Sequence, residues 1–111
     1  MSFDSRQRRL LEGEAGRLYD EVVESGWIST KDERLVPGSE MAAAFALLCD
    51  LGLLAAAGEG RWSAVDPTLV QAQVVAPMGQ RGAELIAESA QWASALGPLA
   101  QSWRRSPHAA V

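Results

Sequence analysis

Residues 40–62, EMAAAFALLCDLGLLAAAGEGRW, decide how the rest of the chain is read. Ser39 stands just before them, where a side-chain oxygen can accept a hydrogen bond from first-turn amides that lack a partner inside a helix. Met41, Ala44, Phe45, Leu48 and Leu51 then recur at steps of three and four, which places them on one helical stripe facing a core. Gly52 ends the pattern, since glycine adopts the left-handed conformation of a helix C-terminus at low cost. From Leu53 the helical period stops, and the short runs on either side of Gly58, Glu59 and Gly60 read as a hairpin.

Working outward, Leu11, Ala15, Leu18 and Val22 keep helical spacing and predict a first helix over Glu12 to Ser25, closed by Gly26. Gly13 and Gly16 weaken its start. Ser29 or Thr30 caps a short second helix through Arg34, before Pro37 and Gly38 force a turn. Asp66 and Pro67 supply the N-cap and first-turn proline of a fourth helix. Beyond it, Val75, Met78, Gly82, Leu85, Ser89, Trp92, Leu96, Leu99 and Trp103 form a heptad-like seam. Pro77 and the Gly97–Pro98 pair interrupt it, so a long, broken helix is predicted. The fold class is thus mainly α: a winged helix-turn-helix with a short β-hairpin wing over residues 1–65, a helical extension over 66–105, and a tail at 106–111.

The totals bound the function. At 111 residues the chain holds one core and little more. A formal net charge of −4 disfavours phosphate neutralisation, although Arg6, Arg8 and Arg9, Arg104 and Arg105, and Lys31, Arg34 and Arg61 leave room for local basic patches. Cys49 is the single cysteine, which excludes an internal disulfide and reads as a small core residue. No window resembles a signal peptide or approaches the roughly 18 apolar residues of a membrane span, so a cytoplasmic protein is expected.

Catalytic residues are scarce. His108 is the single histidine and falls in the expected tail, the acidic residues of EGEAGRLYDEVVE are spaced as a solvated helix exterior, and AAAGEGRW lacks the helix and lysine of a phosphate loop. The reading is therefore of a non-enzyme with no cofactor. Of the four tryptophans, Trp27 and Trp62 read as core anchors. Trp92 and Trp103 lie on the seam, open equally to packing on the first helix and to packing on a second subunit.

AGRLYDEVVESG (15–26), AFALLCDLGLL (44–54), RWSAVDPTLVQA (61–72) and APMGQRGAELIAESAQWA (76–93) together resemble the N-terminal winged-helix domains, TrmB-like in type, of large actinobacterial LuxR-type regulators. The resemblance covers about residues 10–105 and is carried by the combination LxxLGLL, hairpin and VDP. It implies a transcription regulator whose winged domain leads into a helical spacer that helps pair two subunits, with a four-helix LuxR-type DNA-binding domain near the C-terminus. These 111 residues do not include that second domain, and are expected to be either an excised N-terminal domain or a natural short relative.

The third helix is a poor reader on chemical grounds. Its outward positions are expected at Glu40, Ala43, Ala46, Leu47 and Asp50, whereas base edges are read by donors and acceptors with cations nearby. Candidate DNA contacts are Lys31, Arg34, Ser39 and Arg61; the candidate dimer seam is Leu85, Trp92, Leu96, Leu99 and Trp103. Two functions follow as expectations. One is a regulator domain serving dimerisation or interdomain signalling, with weak DNA contact and a homodimer formed through the C-terminal helix. The other is a protein-interaction module on the same scaffold, without DNA binding.

Overall fold

Helical structure begins upstream of the expected start at Glu12. The computed structural model describes residues 5–75 and 83–106, the side chains of residues 74 and 83–86 left aside. Helix α1 spans Ser5–Glu12 and α2 spans Glu14–Ser25, with a bend at Gly13, whose amide donates to the Arg9 and Leu10 carbonyls. The second glycine of this stretch has a packing role: a Cβ on Gly16 would lie 2.5 Å from the Leu11 carbonyl oxygen. Leu11, Ala15, Leu18 and Val22 are buried as their spacing predicts, joined by Tyr19 and Val23. Gly26, at φ 96°, closes α2 by donating to the Val22 carbonyl.

The expected short second helix is absent. Ile28–Ser29 form strand β1 and pair with the hairpin, which extends the backbone where that helix was to start. Residues 30–38 then run through turns held by local side chains: Ser29 Oγ accepts from the Lys31 amide and Asp32 Oδ1 from the Arg34 amide. Such short polar side chains compete with helical hydrogen bonding for nearby amides.

Helix α3 spans Glu40–Leu51. Ser39 caps it by accepting from the Ala42 amide at 3.1 Å, and Gly52 ends it at φ 84°. Its buried side chains are Ala44, Leu47, Leu48 and Leu51, while Met41 and Phe45 are half-buried at the margin. Leu47 was expected to point outward; α3 packs against α1 as well as α2, and this widens its buried arc.

Strands β2 (Leu54–Gly58) and β3 (Arg61–Ala64) form the hairpin, and the antiparallel sheet has the order β1-β3-β2. Trp62 faces Ile28 on one side and Ala56 on the other, with a bulge between Ala56 and Gly58. The alanines hold an extended conformation through pairing with β3, where tertiary context overrides weak strand preference. Trp62 also meets Phe45 edge-on at 6.0 Å between ring centroids, which fastens the sheet to α3.

Helix α4 (Pro67–Val70) starts as predicted, with Asp66 Oδ1 accepting from the Thr68 amide, and continues as a π-helical turn over Gln71–Val75. Helix α5 then spans Ala83–Arg105 without a break at Gly97–Pro98. Ser94, Gly97 and Pro98 are exposed, so solvent can reach the carbonyl that proline leaves without a backbone donor. The interruption expected at Pro77 lies outside the described residues. Ser89 Oγ donates to the Val75 carbonyl, which ties α5 to the end of the π-helical turn.

The fold is mainly helical with a small three-stranded antiparallel sheet. Its core joins both halves of the chain, since Leu11, Leu18 and Leu48 cluster with Val70, Trp92 and Leu99. Helix α2 packs against α1, α3, α5 and β3. Among the described residues no helix is long and apolar enough to cross a membrane.

Candidate functional site

The four residues expected to touch DNA have different surroundings. Arg34 is held by two carboxylates: its Nη1 donates to Glu21 Oε1 at 3.0 Å and its Nε to Asp32 Oδ1 at 3.1 Å. Further bonds from Nη2 reach both acids. Arg34 hydrogen bonding holds the Asp32 carboxyl below its usual range, and the two acids raise the guanidinium further. Contact with a phosphate would therefore require this cation to leave partners it already has. Ser39 accepts from Ala42 as the α3 cap. Arg61 lies over the Trp27 ring, its guanidinium carbon 4.3 Å from the centroid. Lys31 is exposed, with no ion-pair partner among the described residues.

Trp27 corrects an expectation. It is 45% exposed, not a core anchor, and forms an outer patch with Arg61. Trp62, by contrast, packs against the core margin.

The outward face of α3 lines a groove of about 670 Å³. Glu40, Ala43, Ala46, Leu47 and Asp50 form one side of it. Across from them stand Arg6, Arg9 and Leu10 of α1, with Glu14 and Arg17 of α2. Glu14 and Arg17 pair with each other at 2.7 Å. Arg6, Arg9, Glu40 and Asp50 are exposed and without an ion-pair partner among the described residues. The floor is alanine and leucine, and the rims carry opposite charges.

The arginine rim was missed because the first helix was expected to start at Glu12. Arg8 and Glu12 supplied a signal for the earlier start: they stand at i,i+4, a pairing that supports a helix, and they meet at 2.9 Å. Arg8 also reaches Glu88 at 3.4 Å, fastening α1 to α5.

The seam residues fall mostly inside the chain's own core. Trp92 is 0% exposed, and Leu96 and Leu99 are buried beside it. Trp103 is half-buried against the same cluster. The Leu85 side chain and His108 lie outside the described residues. A second subunit would therefore meet other surface than the ring of Trp92.

Titratable chemistry in the interior is quiet. Burial, aided by the Asp50 charge, pushes the Cys49 thiol up to about 11, which keeps it protonated and a weak nucleophile near neutrality. Burial, with the Asp66 and Asp20 charges, raises the Tyr19 phenol above its ordinary range; its hydroxyl donates to the Val65 carbonyl at 2.8 Å. Among the described residues no group of three or more His, Cys, Asp or Glu is placed to hold a metal ion.

No family model matches the chain, and no significant match is found among curated proteins or solved structures.

Proposed function

We propose that this chain is a winged-helix domain of a transcriptional regulator that works through protein contacts, dimerisation or interdomain signalling, and not by reading bases with its third helix. The element order supports the scaffold: α2, a first strand, α3 and then a hairpin whose second strand pairs centrally, as β1-β3-β2. In this reading the second helix of the helix-turn-helix is reduced to the turns of residues 30–38.

One observation carries the function. The face of α3 in the recognition position offers Glu40, Ala43, Ala46 and Asp50, and it fronts a groove walled by α1. Carboxylates repel phosphates, and alanine carries no hydrogen-bonding side chain for a base edge. Lys31 and Arg61 remain as backbone contacts, so any DNA complex is weak and insensitive to sequence. Two phosphate contacts correspond to a salt slope of about −2 in log–log form.

Fluorescence anisotropy of the full chain with labelled duplexes at low salt tests this reading. Weak binding to all duplexes alike, reduced by Lys31→Glu and by Arg61→Ala, is the expected result. A tight complex selective for one sequence would overturn it.

A further inference from the structure

We propose that the groove between α1 and α3 is a homotypic interface whose occupant is the same groove of a second copy of this chain. The proposal rests on reading α3 as a contact surface, and it replaces the buried seam of α5 as the place where two copies meet. The floor is formed by Leu10, Ala43, Ala46 and Leu47, and its alanines allow another backbone to come close. Glu40 and Asp50 stand about 15 Å apart along α3, given 1.5 Å of rise per residue, and so bracket the two alanines. On the opposite rim Arg6 and Arg9 lie one turn apart on α1.

Charge selects the occupant. Nucleic acid would satisfy the arginines but face Glu40 and Asp50, and an acidic peptide meets the same conflict. A basic peptide would satisfy the carboxylates and be repelled by the arginines. A second copy related by a twofold axis along the groove sets each arginine rim against the partner copy's carboxylate rim, twice over. Isologous pairing of this kind requires a self-complementary patch, and a groove with one cationic and one anionic rim is one. The apolar floors then cover each other.

Sedimentation of the full chain over a wide concentration range tests the interface with two charge-reversed variants, Arg6→Glu/Arg9→Glu and Glu40→Arg/Asp50→Arg. The wild type is expected to dimerise, more weakly as salt rises. Each variant alone places like charges opposite one another and should lose affinity by about tenfold or more, the effect of one close interfacial charge pair. An equimolar mixture of the two restores opposite charges on both rims and should restore the dimer. All four positions are exposed, so circular dichroism should show both variants folded. Should either unfold, Ala46→Arg, which places a long side chain on the exposed floor, should give a folded monomer.

A wild type that stays monomeric at every concentration overturns the proposal, as does a dimer that both variants retain or a mixture that fails to restore it. These results separate from those of the DNA titration. A dimer that binds one duplex selectively refutes the functional reading and leaves the interface standing; a monomer that ignores sequence does the reverse.

Discussion

Trp27 and Trp92 are the same side chain in opposite settings: one is 45% exposed under the Arg61 guanidinium, the other is 0% exposed in the core. The sequence reads Trp27 as an anchor, which its exposure overturns, and leaves Trp92 open equally to packing on the first helix and on a second subunit; its burial selects the first. The difference lies in the neighbours each backbone dictates. Trp27 directly precedes β1, where successive side chains alternate between faces, and Ile28 takes the inward position at 4% exposure. Trp92 shares a helical stripe with Ala95, Leu96 and Leu99, and α2 meets that side of α5. The size of a tryptophan does not decide its burial; the register of the element that carries it does.

The largest expected effect tests this contrast directly. Trp92→Ala should cost about 3–5 kcal/mol, as truncation of a buried aromatic leaves both lost transfer energy and a cavity. Trp27→Ala should cost no more than about 1 kcal/mol, the scale of an exposed cation–π contact. Urea denaturation of the two variants measures both losses, and equal losses would break the comparison.

The same contrast shows how much was legible beforehand. Helix α3, its Ser39 cap, its Gly52 stop and the hairpin follow from local signals, because caps, glycines and periodicity act over a few residues. The short second helix failed because β1 pairs with β3, a contact between residues distant in sequence, and because Ser29 and Asp32 take up local amides. Pro98 was read as a break, yet its exposure lets solvent serve the carbonyl it leaves without a donor. Of the candidate site, Glu40, Ala43, Ala46 and Asp50 were placed outward correctly. Leu47 and the arginine rim were not, since both depend on where α1 lies, and that is a tertiary fact.

A smaller effect is expected where the core carries a polar group. The Tyr19 hydroxyl donates to the Val65 carbonyl, linking α2 to the segment that leaves the hairpin. Tyr19→Phe keeps the ring and removes the donor, with an expected loss of about 1–2 kcal/mol. The thermal midpoint should fall while the near-ultraviolet signal of the buried tryptophan persists. A loss as large as that of Trp92→Ala would mean that this one hydrogen bond organises the core.

On the outer side, Ser39→Ala removes the side-chain acceptor for the Ala42 amide and should cost about 1 kcal/mol. Ser39→Asp, which restores an acceptor and adds a charge favourable at a helix N-terminus, should recover the loss. Failure of the aspartate to recover it would show that the serine acts through packing, and would bring this position closer to the Trp92 side of the comparison.

The smallest effect concerns the Arg34 cluster, a few residues along the chain from Trp27. Its ion pairs with Glu21 and Asp32 are largely exposed, so Arg34→Ala should cost under about 1 kcal/mol at neutral pH, and less in high salt. Arg34 depresses the folded-state value of Asp32, so this contribution is present above the unfolded carboxyl value of about 3.9 and is lost as pH falls through the folded one. The stability gap between wild type and Arg34→Ala should therefore narrow below about pH 4, as Asp32 takes up its proton. Denaturation of both proteins at neutral and acidic pH checks it. A gap that persists unchanged in acid would mean that Arg34 stabilises through the packing of its stem, in which case this surface, like the ring of Trp92, holds the fold by contact and not by charge.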